Sequence, residues 1–367
     1  MKTIAVLGAG HGGCAAAADL TLRGFEVRLT TRRRETLAPL LARGGIELEG
    51  AAGNGFARIA KITPDLREAV YGAELLLITV PTTAHGYYAE VLVPLLKPDQ
   101  VVMLNPGHTC GGLHFAAEVR RHGVQWPVRL CEAFTLTYGC RMTGPASVKV
   151  LSVATNLLFS AFPGRNRDAL LPLCRQLYPN LVPADSVLHS AFLNINAVEH
   201  PPQALLNVGW LEHTQGDYLF YYEGTSPSVG RVIDALDAER VAVAKALGIR
   251  TVDFYEIFWR AGYTTESAAR TRSAYQCLQE SAPNRWVKGP KSLDHRYIHE
   301  DVGYGLVPMA EFGRLAGVAT PVMEALIRIA SSVNGIAYQR DGLTLERMGL
   351  NKVALPDLQR FLFEGPR

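Results

Sequence analysis

The chain has 367 residues, 48% of them apolar and 19% charged, with a formal net charge of +3. That length exceeds what one hydrophobic core usually fills, so two domains with a cleft between them are expected, and so weak a positive balance argues against nucleic acid as a partner. No stretch approaches the ~18 apolar residues of a membrane helix, and Cys14, Cys110, Cys131, Cys140, Cys174 and Cys277 form no CxxC pair, which argues against structural zinc and disulfides.

The first apolar run, Thr3 to Leu7, is too short for a secretory signal core and runs straight into glycines, so a cytoplasmic location is expected. Glu26 to Thr30, Leu75 to Val80, Val101 to Leu104 and Val128 to Leu130 also read as short buried strands. Between them, Cys14 to Arg23 and Tyr88 to Leu96 read as helices. The βα alternation predicts a doubly wound, mostly parallel α/β Rossmann domain over residues 1–183. Beyond Tyr178 the pattern turns to amphipathic helices. Ser226-Pro227 and Thr320-Pro321 are start signals, and Gly248 and Gly335 are stops. A mainly helical substrate domain over 184–367 follows.

Gly8-Ala-Gly10-His11-Gly12-Gly13 places a GxGxxG pattern directly after a strand and before an Ala-rich helix. Gly8 suits the tight turn, Gly10 a close approach of backbone to pyrophosphate, and Gly13 close packing of the helix, whose N-terminal N–H groups face the phosphates. Gly12 belongs to the same loop, and His11 is expected near the phosphates. The second strand ends in Thr30, Thr31, Arg32, Arg33 and Arg34, with no carboxylate for a ribose 2′-hydroxyl. A hydroxyl and guanidinium forks suit a 2′-phosphate, so Thr31, Arg32 and Arg33 predict NADP(H) in preference to NAD(H).

Two later segments carry the chemistry: Asn194-Ile-Asn196-Ala-Val-Glu-His200-Pro-Pro, and Arg296-Tyr-Ile-His-Glu-Asp301-Val-Gly-Tyr-Gly-Leu-Val-Pro308. On a helix Asn196 and His200 share a face, being four apart. Pro201 deprives the Ala197 carbonyl of its helical partner, which predicts a kink just after His200, a polar face suited to a cleft wall. His295 and His299 are also four apart, but no further ligands recur at metal-site spacing, so no metal is expected.

These segments, with the Gly8 fingerprint, Val80-Pro81-Thr-Thr-Ala-His85, Asn105-Pro-Gly107, Tyr222-Glu-Gly-Thr-Ser-Pro227 and Leu236-Asp-Ala-Glu-Arg240, resemble the octopine/nopaline (opine) dehydrogenase family over nearly the whole chain. The resemblance implies NAD(P)H-dependent reductive condensation of an amino acid with a 2-oxo acid, pyruvate or 2-oxoglutarate, through an imine. It also implies the reverse oxidation, a catalytic set of Asn196, His200 and Asp301, and Pro81 among the cofactor contacts. The residue types agree: histidine titrates near neutrality, Asp301 would orient its ring, and Asn196 hydrogen-bonds without adding charge. For the 2-oxo acid carboxylate the resemblance implies Arg296, with Arg141 as a rival.

Two other readings stay open: a glycerol-3-phosphate or ketopantoate type of reductase, and a nonenzymatic NADP(H)-binding redox sensor. The former groups lean on a lysine, and no lysine lies between Lys149 and Lys245. Exposed helical faces leave room for a homodimer. The identity of the amine is not encoded in any short motif.

Overall fold

The short apolar runs of the first half are too brief to be amphipathic helices, and they pair side by side. In the computed structural model, which describes residues 1–124 and 128–366, the strands are β1 (Thr3–Leu7), β2 (Glu26–Thr30), β3 (Gly45–Gly50), β4 (Gly55–Arg58), β5 (Lys61–Ile62), β6 (Leu75–Ile78), β7 (Val101–Leu104), β8 (Arg129–Ala133), β9 (Tyr138–Gly144), β10 (Ser147–Val153), β11 (Leu157–Phe162) and β12 (Leu181–Pro183). One sheet has the order β12-β11-β8-β7-β6-β1-β2-β5. It is parallel from β5 to β8, and β11 runs antiparallel to β8. From β1 the chain builds β2 on one side and later β6 on the other. The carboxyl ends of β1 and β6 therefore flank a switch-point crevice, where open α/β sheets bind their ligands.

A second sheet, β4-β3-β10-β9, was not anticipated. Its strands are bordered by Gly45, Gly50, Gly55 and Gly144 and carry polar residues between their buried ones, which breaks the apolar run that marks a strand in sequence. The helix His11–Leu22 packs on β1 and β2 and also on β3, β4, β9 and β10. A helix covered on both sides must be slim, and Ala15, Ala16, Ala17 and Ala18 are all fully buried. Asp19 on that helix accepts a 2.7 Å hydrogen bond from the Tyr138 hydroxyl and pairs with Arg23 at 3.3 Å.

The chain forms two compact units, Met1–Ser190 with Asp357–Arg367, and Ala191–Pro356. The first is a Rossmann-type domain and the second is mainly helical. The change of unit comes later than the expected 183/184 boundary because Ser190 is tied to the first unit, its hydroxyl 3.2 Å from Glu132 Oε1. The final helix, Leu358–Glu364, also belongs to the first unit, where Phe361 meets Phe162 at 5.6 Å between ring centroids.

In the second unit the start and stop signals operate as read. The helix Pro227–Ala246 begins with Ser226 Oγ accepting from the Val229 N–H at 3.3 Å, and Gly248 follows it at φ +68°. The helix Pro321–Asn334 ends on Gly335 at φ +65°. Its free N–H groups at Val322 and Met323 are met at 2.7 and 2.9 Å by Glu239. Next to Glu239, Arg240 is fully buried: it pairs with Asp237 at 2.7 Å and donates to the Val252 carbonyl at 2.6 Å and to the Phe192 carbonyl. A guanidinium without water needs its donors satisfied in this way. The Leu236-Asp-Ala-Glu-Arg240 motif is thus structural. So is Asn105, whose buried amide exchanges hydrogen bonds of 2.7 and 3.0 Å with Thr137.

Candidate active site

In the first unit the turn after β1 is built for close approach. Gly8 has φ +116°, and a methyl at Gly13 would lie 1.7 Å from the Gly8 carbonyl oxygen, so strand and helix touch through bare backbone. At Gly12 the crowding is from Leu136, 2.7 Å from a built Cβ. Gly10 differs: a Cβ there would meet nothing within 4 Å. Among the described residues no atom explains a glycine at that point, whereas a pyrophosphate against the N-terminus of the helix His11–Leu22 would. The site fits a dinucleotide on this chain's own geometry.

The carboxyl end of β6 closes the same crevice. Thr79 Oγ1 donates to the Leu7 and Gly8 carbonyls at 3.2 and 3.1 Å, and the exposed Pro81 follows in extended backbone. Past β2, Thr31 is half-buried and its side chain engages the Tyr88 hydroxyl. Arg32, Arg33 and Arg34 are exposed, and Arg32 lies over the Tyr87 ring at 5.4 Å. His11 stands at the start of its helix; burial and the neighbouring Arg141 guanidinium hold it below the ordinary imidazole value. Arg141, on β9, thus neighbours His11 of the glycine turn.

In the second unit His200 lies on the helix Asn196–Leu205, which continues through Pro201 and Pro202. The prolines cost the bonds to Ala197 and Val198, and tertiary packing holds the rest: Gly305 sits so close that its Cβ would be 2.6 Å from Ala197 Cβ, and Gln203 Nε2 donates to Thr225 at 2.7 Å. Asp301 arrives on a π-turn, Val302–Leu306, joining the helix Arg296–His299 to Val307–Ala316. The Leu306 N–H reaches five residues back to Asp301 O at 2.9 Å. Such wide turns recur at functional positions because they re-aim side chains.

Asp301 Oδ2 is 2.8 Å from His200 Nδ1, and the Tyr221 hydroxyl is 2.8 Å from Nε2. All three residues are buried. An ionised carboxylate only accepts, so Nδ1 carries the hydrogen of its bond and Nε2 is the nitrogen that gains or loses a proton. The Tyr297 ring stacks on the imidazole at 4.0 Å and 28°. Glu199 Oε1 is 3.7 Å from Nε2, while Oε2 has no partner among the described residues. Burial, then the charge of Asp301, push the Glu199 carboxyl well above the usual range.

Asn196 is half-buried, one turn before His200, and its side chain makes no hydrogen bond among the described residues. Arg296 is half-exposed and its Nε pairs with the buried Glu300 at 3.0 Å. Burial opposes its charge, but Glu300 and Asp301 outweigh this and raise its pKa. The histidines beside it have structural partners: His295 Nδ1 accepts from the Tyr297 N–H at 3.3 Å, and His299 bonds Asp294 at 2.9 Å and Tyr338 at 2.6 Å. Tyr221, Tyr297 and Glu199 were missed from sequence. Glu199 adjoins His200 and could have been weighed, but no spacing rule brings Tyr221 to a nitrogen of His200.

A glycine turn shaped for a dinucleotide in the first unit and, in the second, a buried histidine fixed at one nitrogen are both features of nicotinamide-dependent oxidoreductases. Residues 183–334 match the family described as NAD/NADP octopine/nopaline dehydrogenase, alpha-helical domain, and residues 3–122 match the NAD-dependent glycerol-3-phosphate dehydrogenase N-terminus. An opine dehydrogenase of Arthrobacter sp. (strain 1C) is 34% identical, the alignment covering 95% of this chain and 96% of the relative. The chain belongs to the opine dehydrogenase family. Its fold is that of octopine dehydrogenase solved with NADH and L-arginine (TM-score 0.79, 21% identity, 100% of this chain and 99% of that one). It is also that of yersinopine dehydrogenase with NADP+ bound (TM-score 0.75, 15% identity, 100% and 98%).

Proposed function

We propose that this chain condenses an amino acid with a 2-oxo acid, pyruvate or 2-oxoglutarate, reducing the imine with NADPH, and also runs the reverse oxidation. The observation that carries this reading is the buried imidazole of His200, fixed at Nδ1 by Asp301 so that one nitrogen is left for proton transfer. Imine formation needs a proton for the departing carbonyl oxygen, and an imidazole is the side chain suited by its chemistry to give and take one. The nicotinamide, when bound, supplies the hydride. Asn196, with an unengaged amide on the His200 face, holds the cofactor carboxamide or the substrate. Arg296 has its Nε tied to Glu300 and its terminal nitrogens without a hydrogen-bond partner among the described residues, which suits a carboxylate anchor. Arg141, beside His11, suits the phosphates better.

The amine and the oxo acid are needed together, because the bond to be reduced is made from both. Leaving out the amine should stop NADPH consumption, read as absorbance at 340 nm. Reduction of a 2-oxo acid alone at the full rate would make the chain a hydroxy-acid dehydrogenase and overturn the reading.

The cofactor reading is NADP(H) over NAD(H), through Thr31, Arg32 and Arg33 on the glycine-turn side. No acid stands at the end of β2, and the guanidinium groups are exposed and available to a 2′-phosphate. The double change Thr31→Asp, Arg32→Ala should reverse the preference, measured as the ratio of kcat/KM for NADPH and NADH. Equal or better use of NADH by the unaltered chain would refute it. Six free, buried cysteines support a reducing, cytoplasmic setting. Among the described residues no helix is long and apolar enough to cross a membrane. Exposed Trp210, Trp259 and Trp286 on the second unit are compatible with a homodimer.

A further inference from the structure

We propose that Tyr221 is the last link through which His200 hands its proton to the substrate oxygen. This inference rests on the condensation reading above. With Nδ1 held by Asp301, only Nε2 can exchange a proton. The place one hydrogen bond away from it, where a substrate oxygen would sit for direct transfer, is filled by the Tyr221 hydroxyl at 2.8 Å.

The phenol is no loose cover. Tyr221 is buried, and its ring meets Phe220 edge-on at 5.1 Å and 87°. Tyr297 is half-buried and stacks on the imidazole, which leaves the Tyr221 hydroxyl as the one hydrogen-bond partner of Nε2 among the described residues. The groups around the phenol are His200 and Glu199 from one helix, and Arg296, Tyr297 and Asp301 from the facing segment. Burial, followed by Tyr297 and the Glu199 and Asp301 carboxyls, disfavours a tyrosinate, so the phenol takes one proton as it gives another.

The step balances as follows. The amine adds to the carbonyl carbon of the 2-oxo acid, giving a carbinolamine. The Nε2–H bond of His200 breaks as an O–H bond forms on Tyr221, and the original O–H of Tyr221 breaks as one forms on the carbinolamine oxygen. The C–O bond then breaks, water leaves, and the nitrogen lone pair forms the C=N bond that the nicotinamide hydride reduces. His200 ends neutral and Tyr221 ends unchanged.

The test is turnover of the full-length Tyr221→Phe variant with saturating NADPH, amino acid and 2-oxo acid, alongside His200→Ala. A relay predicts that Tyr221→Phe lowers kcat by about 10²-fold, as expected for a lost proton donor, with NADPH affinity unchanged. If the hydroxyl merely covers Nε2, its removal frees that nitrogen for the substrate, and kcat stays level or rises, which overturns the proposal. Incorporating 3-fluorotyrosine in place of Tyr221 keeps the shape and acidifies the phenol. The relay requires the pH profile of kcat to shift, and an unchanged profile assigns Tyr221 to packing and overturns the proposal even if the phenylalanine variant is slow or unstable. His200→Ala separates the two readings: an inactive His200→Ala beside a fully active Tyr221→Phe refutes the relay alone, whereas an active His200→Ala removes the acid on which the condensation reading stands.

Discussion

Replacing His200 by alanine is expected to lower kcat by about 10²- to 10⁴-fold, the usual range for a lost general acid, with NADP(H) affinity nearly unchanged. The separation of effects follows from the architecture: the glycine turn belongs to Met1–Ser190, while His200, Asp301 and Tyr221 all belong to Ala191–Pro356. Asp301→Asn should also slow turnover, because an amide neither stabilises an imidazolium nor enforces the Nδ1–H tautomer that frees Nε2. The double variant should be little worse than His200→Ala alone, since residues that act as one unit do not add. Steady-state kinetics with a fluorescence titration of NADPH measure both quantities. Retention of most turnover by His200→Ala, at unchanged cofactor affinity, would refute the assignment.

The second large effect is expected from two alanines three positions apart. Gly10→Ala should fold normally, because its new methyl meets no atom of the described residues within 4 Å, yet lose dinucleotide affinity by about 5- to 150-fold, the equivalent of about 1–3 kcal/mol of overpacking against the pyrophosphate. Gly13→Ala should lose stability as well, because its methyl would stand 1.7 Å from the Gly8 carbonyl and would force helix and strand apart. Thermal denaturation without cofactor distinguishes them: a normal Tm for Gly10→Ala and a lowered one for Gly13→Ala. Full NADPH affinity in Gly10→Ala would show that the open space at that glycine is not the pyrophosphate seat.

What could be read from the sequence depended on how local the cause was. The strand edges Glu26–Thr30 and Val101–Leu104 matched residue for residue: the second is an uninterrupted buried apolar run, and the first alternates polar residues with buried Val27 and Leu29. Ser226-Pro227 and Gly335 were legible because capping acts over three or four residues. Helix starts were less so: the first helix begins at His11 and not at Cys14, since its opening glycines look like loop until a strand packs against them. The motifs quoted for the family resemblance had mixed origins, for Asn105 and Arg240 hold the structure together. Tyr221, Tyr297 and Glu199 reach His200 only through tertiary folding, and period and spacing have nothing to say about such contacts. The last helix was assigned to the second unit because it follows it in sequence.

That last helix gives the chain an order of assembly. The chain leaves the first unit after Ser190 and re-enters it at Asp357, so the second unit is one continuous stretch inserted into the first. During synthesis from the N-terminus, the inserted stretch is complete and free to fold before the first unit has received its closing helix, with Phe361 still to be placed against Phe162. The segment Ala191–Pro356 is accordingly the natural fragment to express by itself, whereas a fragment stopped near Ser190 would leave the Phe162 side of its sheet uncovered and prone to self-association.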